Sequence, residues 1–303
     1  MGARAWMLVG FALAGPAGLA CAQSVHYPMP TFDRWNYPFN SQTGAGTEAL
    51  VFGVLGALGV GQFDDRDGQF LTAWNTGGDF APGLGAANYE ILSARVTATI
   101  DPRFGNAFSF DATTDSYRTY LDPSDPEFLP DADAGRPIEL FGSGYRNGFT
   151  AASFGENGPF AFGNPTTEGI RNAFARDVTG VDASNNIRDR FDVVAMAVGQ
   201  AAVGPGALVP GGSTIAFDLD VNNLDIAAYI QGGLNSGTLS FTISSLHEGA
   251  FGGPPTFPAF MTKESAQLPA VPATLDLTIR IIPAPGTLAV LALAGSTLLR
   301  RRR

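Results

Sequence analysis

The 303-residue chain has very few of the side chains that carry thiol, imidazole or amine chemistry. It contains one cysteine, Cys21, one lysine, Lys263, and two histidines, His26 and His247. A lone cysteine excludes an intramolecular disulfide and a metal site built from several thiolates. Neither a His-Glu-x-x-His nor a Gly-x-Ser-x-Gly sequence is present, so catalytic zinc and a nucleophilic serine are not expected. His247 is accordingly predicted to be a surface residue at a strand end.

Positive charge is scarce in the middle of the chain, where the acidic residues are concentrated. Arg4 and the terminal run Arg300–Arg303 are five of the 18 basic residues, whereas all 28 acidic residues lie between residues 23 and 282. This acidic segment would repel phosphate backbones, so nucleic acid is not expected as a partner. Its charge favours colloidal stability outside the cell and the binding of divalent cations.

The N-terminus has the layout of a secretory leader. Arg4 precedes the apolar run Met7–Ala20, and the small residues Ala20 and Ala22 have the spacing of a signal-peptidase site. We expect residues 1–22 to be a signal peptide that is cleaved after Ala22. Lipid attachment at Cys21 is the alternative, although glycine stands where the lipoprotein motif has leucine.

The C-terminal tail, residues 283–303, has three parts. A proline-bounded break is followed by the uncharged run Gly286–Leu299, whose fourteen residues would form a helix of about 21 Å, shorter than the roughly 30 Å hydrocarbon core of a membrane. Basic flanks stay on the cytoplasmic side, which places the preceding domain outside. The residues that define the break and the basic end are Pro283, Ala284, Pro285, Arg300, Arg301, Arg302 and Arg303.

This tail resembles the PEP-CTERM sorting signal of exported bacterial proteins, with Ala284 where that motif has glutamate. The resemblance implies processing by an exosortase-like membrane protease and a location at the cell surface or in the extracellular matrix. A permanent C-terminal membrane anchor is the alternative. In both cases the segment 23–282 lies outside the cell membrane.

The segment 23–282 has the pattern of an all-β protein. The clearest strand, Tyr89–Ile100, alternates apolar residues from Leu92 to Ile100 with polar ones, which is typical of an antiparallel sheet with one buried face. About ten strands are predicted, and they indicate one β-sandwich of jelly-roll type. The predicted strands are 24–40, 48–53, 69–74, 89–100, 104–111, 191–198, 213–221, 238–246 and 274–282, with edge strands in 139–163.

Three stretches depart from this pattern. Asp225–Leu234 is predicted as one short helix, capped by Asp225 and stopped at Gly232 and Gly233. Ile170–Asp177 fits either a strand or a short helix. Glu139–Gly163, rich in glycine and aromatic residues, is predicted to form edge strands and packed loops within a central insertion.

The second half of the segment resembles the closing half of a DNRLRE-type domain, whose members are similar to jelly-roll carbohydrate-binding modules of bacterial surface proteins. The matching residues are Asp220–Val221, Tyr229–Leu234, Leu239–Leu246, Phe260–Glu264 and Leu275–Ile279, with a looser match at Phe70–Trp74 and Ile91–Ile100. The resemblance implies a jelly-roll fold, sugar binding and a structural calcium ion.

Aromatic side chains are the candidates for sugar binding, because a pyranose ring stacks on a flat π surface. Trp35, Trp74, Tyr145 and Tyr229 are the residues to inspect. Burial on a sandwich strand is the alternative for each of them.

Carboxylates are the candidates for calcium binding, because the ion takes six to eight oxygen ligands. Asp218-x-Asp220-x-Asn222 is similar to the start of an EF-hand loop but lacks its later glycine and glutamate. A solvated strand face is the alternative. The acidic stretches Asp64–Asp67 and Asp122–Asp133 are further candidates, each also explained by turn formation.

Three functions therefore remain open. The first is a non-enzymatic, exported surface or extracellular-matrix protein that is associated with polysaccharide. The second is a carbohydrate-binding module, with calcium as a possible stabilising ion. The third is a polysaccharide hydrolase or lyase, which would require two carboxylates facing each other across a cleft.

Overall fold

The computed structural model describes residues 21–56, 63–160, 169–249, 254–265 and 271–282. The predicted leader up to residue 20, which includes the predicted cleavage-site residue Ala20, and the predicted sorting tail 283–303 lie outside these ranges. No helix within the described ranges is both long and apolar enough to cross a bilayer. The described part of the chain is mainly β, as predicted.

Fourteen strands and two α-helices are present in the described ranges. The strands are β1 Ala22–Tyr27, β2 Phe32–Asn36, β3 Glu48–Leu50, β4 Gln69–Asn75, β5 Tyr89–Thr99, β6 Ser109–Phe110, β7 Ile138–Tyr145, β8 Ala173–Arg176, β9 Ala197–Val198, β10 Ala207–Leu208, β11 Thr214–Asp218, β12 Thr238–Ser245, β13 Ala259–Met261 and β14 Thr274–Ile281. The helices are α1 Ala151–Phe154 and α2 Leu224–Ser236, and short 3-10 turns cover Ala86–Asn88, Pro102–Phe104, Tyr117–Tyr120 and Gly169–Asn172.

Two antiparallel sheets dominate the architecture. The smaller has the strand order β1-β14-β5-β11, and the larger has the order β2-β4-β12-β7-β8, with β9 also paired to β7. Two-stranded ribbons, β10-β6 and β13-β3, complete the pairing. The first and last described strands are neighbours, so that Ala22 lies opposite Arg280.

The inner faces of both sheets share one apolar core. Phe70, Trp74 and Phe241 come from the larger sheet, and Phe217 and Leu277 come from the smaller one. All five are buried in the same cluster. Because each buried apolar side chain of this size contributes about 1.5–3 kcal/mol, this shared core holds the two sheets face to face.

A β-bulge interrupts the strand that shows the clearest alternation. Thr278 of β14 lies opposite Ser93, but the next residue, Ile279, lies opposite Ile91, so Leu92 is skipped. The bulge reverses which residues face the core, and Ile91 is buried while Leu92 is only half-buried. The prediction that Leu92 shares the buried face is wrong, because strict alternation cannot anticipate an inserted residue.

Helix α2 is longer than predicted at both ends. Its N-cap is Asn223, whose side chain accepts hydrogen bonds from the backbone N–H groups of Asp225 and Ile226. The helix continues through Gly232 and Gly233 and ends at Ser236, and its C-cap Gly237 adopts a left-handed conformation with φ of 82°. Burial of its apolar face against the core offsets the poor helix propensity of the paired glycines.

Further strand predictions are wrong. The predicted strand 24–40 is divided between β1 and β2, and only Ser109 and Phe110 of the predicted strand 104–111 are in a strand. The stretch 139–163 contributes β7, an interior strand between β12 and β8, rather than an edge strand. Only Ala197 and Val198 of the predicted strand 191–198 are in a sheet. The extra strands beyond the predicted ten are mostly pairs of two or three residues, which are too short to show a periodic pattern.

Candidate functional site

The larger sheet opens where β7 and β12 diverge. Their last paired residues at this end are Gly142 and Phe241. Beyond this pair, the phenolic hydroxyl of Tyr229 on α2 accepts a hydrogen bond from the Ser143 N–H at 2.7 Å and donates one to the Ser240 carbonyl. One tyrosine side chain thus replaces a ladder hydrogen bond and fixes α2 at the opening.

Two glycines of β7 make room for this arrangement. A Cβ at Gly142 would lie 2.8 Å from two ring carbons of Tyr229, and a Cβ at Gly144 would lie 2.3 Å from the ring of Phe174. Any other residue at these positions would push the rings off the sheet. The Phe-Gly-Ser-Gly-Tyr sequence of β7 is therefore a packing requirement of the opening.

The divergence of the strands leaves a groove of about 540 Å³ between α2, the ends of β7 and β12, and the turn after β8. Its polar wall includes Thr150, Arg176, Thr179, Asp225 and Ser236. Tyr145 and Tyr229 line it as well, so the structure brings together two of the four aromatic residues singled out from the sequence.

Arg176 is the distinctive side chain of the groove. It ends β8 opposite Gly142, and its guanidinium lies 5.6 Å from the centre of the Tyr229 ring. Among the described residues, its guanidinium has no hydrogen-bond or ion-pair partner. Every other described arginine is bonded to a carboxylate or to a backbone carbonyl. Arg176 thus keeps a full set of donors for a ligand.

The two tyrosines of the groove are held as neutral, internally bonded side chains. The Tyr145 hydroxyl donates to Ser240 Oγ at 3.1 Å, and its ring packs 5.7 Å from that of Phe154. Burial raises the pKa of both Tyr145 and Tyr229. Both rings are half-buried, so they form walls of the groove rather than open stacking platforms.

The two tryptophans lie elsewhere. Trp74 is completely buried, with its ring 6.5 Å from that of Phe241 in the core, and it is not available to a surface ligand. Trp35 is half-buried and stacks on Tyr37 at a centroid distance of 4.9 Å. Neither lines the groove.

The proposed calcium residues are each bound by nearby protein groups. Asp218 lies opposite Arg95 on the neighbouring strand, and the guanidinium donates to both of its carboxylate oxygens at 2.5 and 2.8 Å. Asp220 accepts from the Asn222 N–H at 3.0 Å in a turn.

In two other carboxylate clusters, the oxygens lie within 4.8 Å of one another. One consists of Asp115, Asp131 and Asp133, where Arg136 donates at 2.8 Å to both Asp115 and Asp131. The arginine therefore already occupies the place of a cation in this cluster.

The second cluster consists of Asp33, Glu156 and Glu264. Burial, together with the nearby Asp33 and Glu156 carboxylates, raises the pKa of Glu264 to about 8. Burial also raises the pKa of Asp33 to about 6, against the lowering effect of Lys263. Sequence reasoning missed this cluster because its members come from three distant segments.

The acidic stretches of the sequence are structural. Arg171 pairs with Asp64 at 2.7 Å and with Asp67, and the Arg188 N–H donates to Asp65 at 2.7 Å. Asp122 likewise accepts from Ser124 in a turn. The acidic residues of these two stretches therefore form ion pairs with arginines and hydrogen bonds within turns.

His247 is buried rather than exposed, so its predicted surface position is wrong. Its Nδ1 contacts Ser245 Oγ at 2.5 Å, and its Nε2 lies 2.8 Å from the Ser109 carbonyl oxygen. Burial lowers the pKa of His247 to about 4. A backbone carbonyl occupies the place where a triad has a carboxylate, and Ser245 is itself fully buried. The other histidine, His26, is exposed and pairs with Asp276 on β14.

Comparison with known proteins adds no family assignment. No family model matches the chain, and no curated protein matches it. Inferences about function therefore depend on the sequence patterns and on the geometry of the groove.

Proposed function

We propose that this chain is an exported, non-enzymatic protein of the cell surface or extracellular matrix that binds an extracellular polysaccharide in the groove beside α2. The observation that carries the proposal is the Arg176 guanidinium, which has no hydrogen-bond or ion-pair partner among the described residues. A planar guanidinium recognises a carboxylate through two parallel hydrogen bonds. The expected ligand is therefore a polysaccharide that contains uronic acids.

The rest of the groove fits the neutral part of such a sugar. Thr179, Asp225 and Ser236 offer hydroxyl and carboxylate oxygens for sugar hydroxyls, while the half-buried rings of Tyr145 and Tyr229 provide apolar surface. Asp225 is the sole carboxylate among the residues that line the groove. Since a glycosidase uses two facing carboxylates, this lining supports binding rather than hydrolysis.

A glycan array that includes uronic-acid polymers tests the binding proposal, with and without calcium. Arg176→Gln should weaken binding about 10- to 100-fold, the loss expected for hydrogen bonds to a charged group. Arg95→Gln is the matched control, because Arg95 is an exposed arginine on the other sheet and pairs with Asp218.

Because the domain as a whole is acidic and repels a polyanion, binding should weaken at low ionic strength. A basic surface that binds a polyanion would show the opposite dependence. An array without signal, or equal binding by Arg176→Gln, would refute the proposal.

We also propose that the two termini act as transport signals: a leader cleaved after Ala22 and a PEP-CTERM-like tail processed near Pro283 by an exosortase-like enzyme. Their support is the sequence layout of residues 1–22 and 283–303. Mass spectrometry of the native surface protein should find a mature chain that begins at Gln23 and ends near Pro283. Recovery of an intact peptide through Arg303 would instead indicate a permanent anchor.

We also propose that the two sheets form a sandwich of jelly-roll type. Two antiparallel sheets around one core are consistent with a jelly-roll sandwich, and a DNRLRE-like domain would place a sugar-binding site on such a scaffold. An experimental structure with a uronic-acid oligosaccharide would test the topology and the ligand site together.

A further inference from the structure

We propose that Asp33, Glu156 and Glu264 bind a calcium ion at the junction of β2, the segment after α1 and the turn after β13. The inference is independent of the groove and of the polysaccharide. Each residue places a carboxylate oxygen within 4.8 Å of the other two. The three residues are more than 100 positions apart in sequence, so the site exists only in the folded chain.

Unsatisfied oxygen atoms indicate that the cluster is missing a partner. Asp33 is 0% exposed, and while its Oδ2 accepts a hydrogen bond from the Lys263 N–H at 2.9 Å, its buried Oδ1 receives no hydrogen bond from an N–H group of the described residues. The same is true of the buried Oε2 of Glu264. A buried carboxylate oxygen that loses its water normally gains a hydrogen bond or a metal ion, because a buried oxygen without either contact costs about 1–3 kcal/mol or more.

The charge balance gives the valence of the missing partner. Lys263 Nζ lies 2.7 Å from Glu156 and 3.8 Å from Glu264, and it also donates to the Thr31 carbonyl oxygen at 2.9 Å. It offsets one of the three negative charges, and no other described cation contacts the cluster. With all three carboxylates ionised, the remaining charge is neutralised by one divalent ion.

The ligand chemistry selects a hard cation. The donors are all carboxylate oxygens, without the nitrogen or sulfur atoms that zinc prefers. Ca²⁺–O distances of about 2.3–2.6 Å allow opposite ligands to be about 4.6–5.2 Å apart, and oxygens that lie within 4.8 Å of one another satisfy this limit. Mg²⁺ usually keeps several waters instead of being held by protein carboxylates alone, so Ca²⁺ is the expected ion.

The backbone also holds the ligands in place before the ion binds. A Cβ at Gly44 would lie 2.2 Å from Cγ of Glu156, so that chain segment presses directly against the glutamate. Thr43 donates from Oγ1 to the Glu156 carbonyl oxygen at 3.3 Å. Asp33 is fixed by its position in β2, where it lies opposite Thr72.

Calcium titration of the secreted, metal-stripped protein tests the site. Calorimetry should give one Ca²⁺ per chain with a dissociation constant of about 10⁻⁴–10⁻³ M, as in other extracellular modules. At about one hundred times that constant, the thermal midpoint should rise by about 5 °C or more. Mg²⁺ at the same concentration should produce a smaller shift.

Three variants locate the ion. Glu264→Gln and Asp33→Asn should abolish the calcium-induced shift while leaving the metal-free midpoint unchanged or higher, because each removes charge repulsion. Lys263→Met should lower the metal-free midpoint but tighten calcium binding about tenfold, since it removes the competing cation. A residue with a purely structural role would not tighten binding.

Asp133→Asn in the other acidic cluster and Asp218→Asn on β11 are the matched controls, and both should keep the full shift. The proposal fails if calcium produces no shift, if the shift survives in both Glu264→Gln and Asp33→Asn, or if Asp133→Asn abolishes it. None of these outcomes bears on Arg176, so the failure of the calcium site and that of the groove can be told apart.

Discussion

At the scale of single residues, the hydrogen bonds of His247 fix its protonation state. Nε2 faces the Ser109 carbonyl oxygen, which can only accept, so the proton of the neutral ring lies on Nε2. Nδ1 then accepts from the Ser245 hydroxyl. A second ring proton would break this contact inside the core, in agreement with a pKa lowered to about 4.

Acid should destabilise the protein through His247. In the unfolded chain the pKa of His247 is about 6.5, whereas in the folded protein it is about 4. The contribution of His247 to the free energy of unfolding is therefore fully present above pH 6.5 and is lost as the pH falls from 6.5 to 4. We expect the free energy of unfolding to drop by about 2–3 kcal/mol from this group by pH ~4.5. Urea titrations at several pH values measure it.

His247→Gln is the control for this acid effect, because glutamine can still donate to the Ser109 carbonyl oxygen. The variant is expected to be less stable at neutral pH but to lose less stability on acidification. Equal pH slopes for the two proteins would show that carboxylates, rather than His247, account for the acid sensitivity.

The buried pair of Arg66 and Glu139 should show that removal of one partner costs more than removal of both. Both side chains are almost completely buried, and Arg66 Nη1 lies 2.7 Å from Glu139 Oε2. Arg66 also donates a hydrogen bond to Asn186, and its guanidinium lies over the Phe141 ring. Arg66→Met should destabilise the fold by about 3–5 kcal/mol, because Glu139 is left charged in the core. The double variant Arg66→Met with Glu139→Leu should regain most of that loss in a urea titration. Additive losses would contradict this expectation.

Sequence reasoning located some residues of the candidate site but not the decisive one. Tyr145 and Tyr229 stood out as aromatic residues in a chain with few tryptophans, and they do meet at the groove. Arg176 carried no signal, because its lack of an acidic partner depends on cross-strand neighbours that the sequence does not reveal. Asp33 and Glu264 were hidden for the same reason, since a strand and a turn 231 positions apart supply them.

At the scale of elements, two adjacent glycines of α2 offer a matched test of helix packing. A Cβ at Gly232 would meet nothing within 4 Å, whereas a Cβ at Gly233 would lie 2.6 Å from Cδ1 and 3.3 Å from Cα of the buried Leu239. Gly232→Ala should therefore stabilise the protein by about 0.5–1 kcal/mol through helix propensity. Gly233→Ala should lose that gain and destabilise it.

Thermal unfolding followed by circular dichroism measures both variants under the same conditions. Because both glycines also border the groove, ligand binding should be checked in parallel. Equal midpoints for the two alanine variants would show that the helix can shift away from β12 without cost.

The predicted ends of helices and strands are wrong where tertiary contacts outweigh the local conformational preference of the residues. The paired glycines of α2 predicted a stop, yet the buried residues Ile230 and Leu234 on either side continue the apolar face and keep the helix intact. In β5, the bulge at Leu92 reverses which residues of the N-terminal end of the strand face the core. The long strands β12 and β14 were predicted well because apolar and polar residues alternate along both, although β12 is buried on both faces whereas β14 has one buried face.

At the scale of the whole molecule, β1 protects the edge of the smaller sheet. It is short and mostly exposed, and it covers β14, whose inner face carries Leu275, Leu277 and Ile279. A variant that lacks residues 21–27 should keep its core but self-associate through the exposed β14 edge. Light scattering after size-exclusion chromatography should detect dimers or larger species, whereas a chain that begins at Gln23 stays monomeric.

Adding Thr278→Lys to the shortened chain tests the mechanism of association. A lysine on the open edge should restore the monomer by placing charge at the new interface. If association persists, another surface is responsible and the edge explanation is wrong.

The class of fold could be predicted from the sequence as a whole, but its arrangement could not. Abundant glycine and proline, and alternation in the longer strands, indicated an all-β chain. The order of the strands depends on pairings between remote segments, such as β1 with β14 and β3 with β13, for which one sequence holds no local signal. Two-residue strands such as β6 and β10 exist only through those pairings.

The position of β14 determines how the domain would respond to mechanical force. This strand is the last described element before the predicted tail, and it is hydrogen-bonded to β1 on one side and to β5 on the other. If the tail holds the protein at the membrane while polysaccharide pulls on the groove, the load enters the sheet along an interior strand. Such a load acts on both ladders in parallel as shear, instead of opening their hydrogen bonds one after another. Attachment through such a tail would therefore load β14 where hydrogen bonds on both of its sides resist the force together.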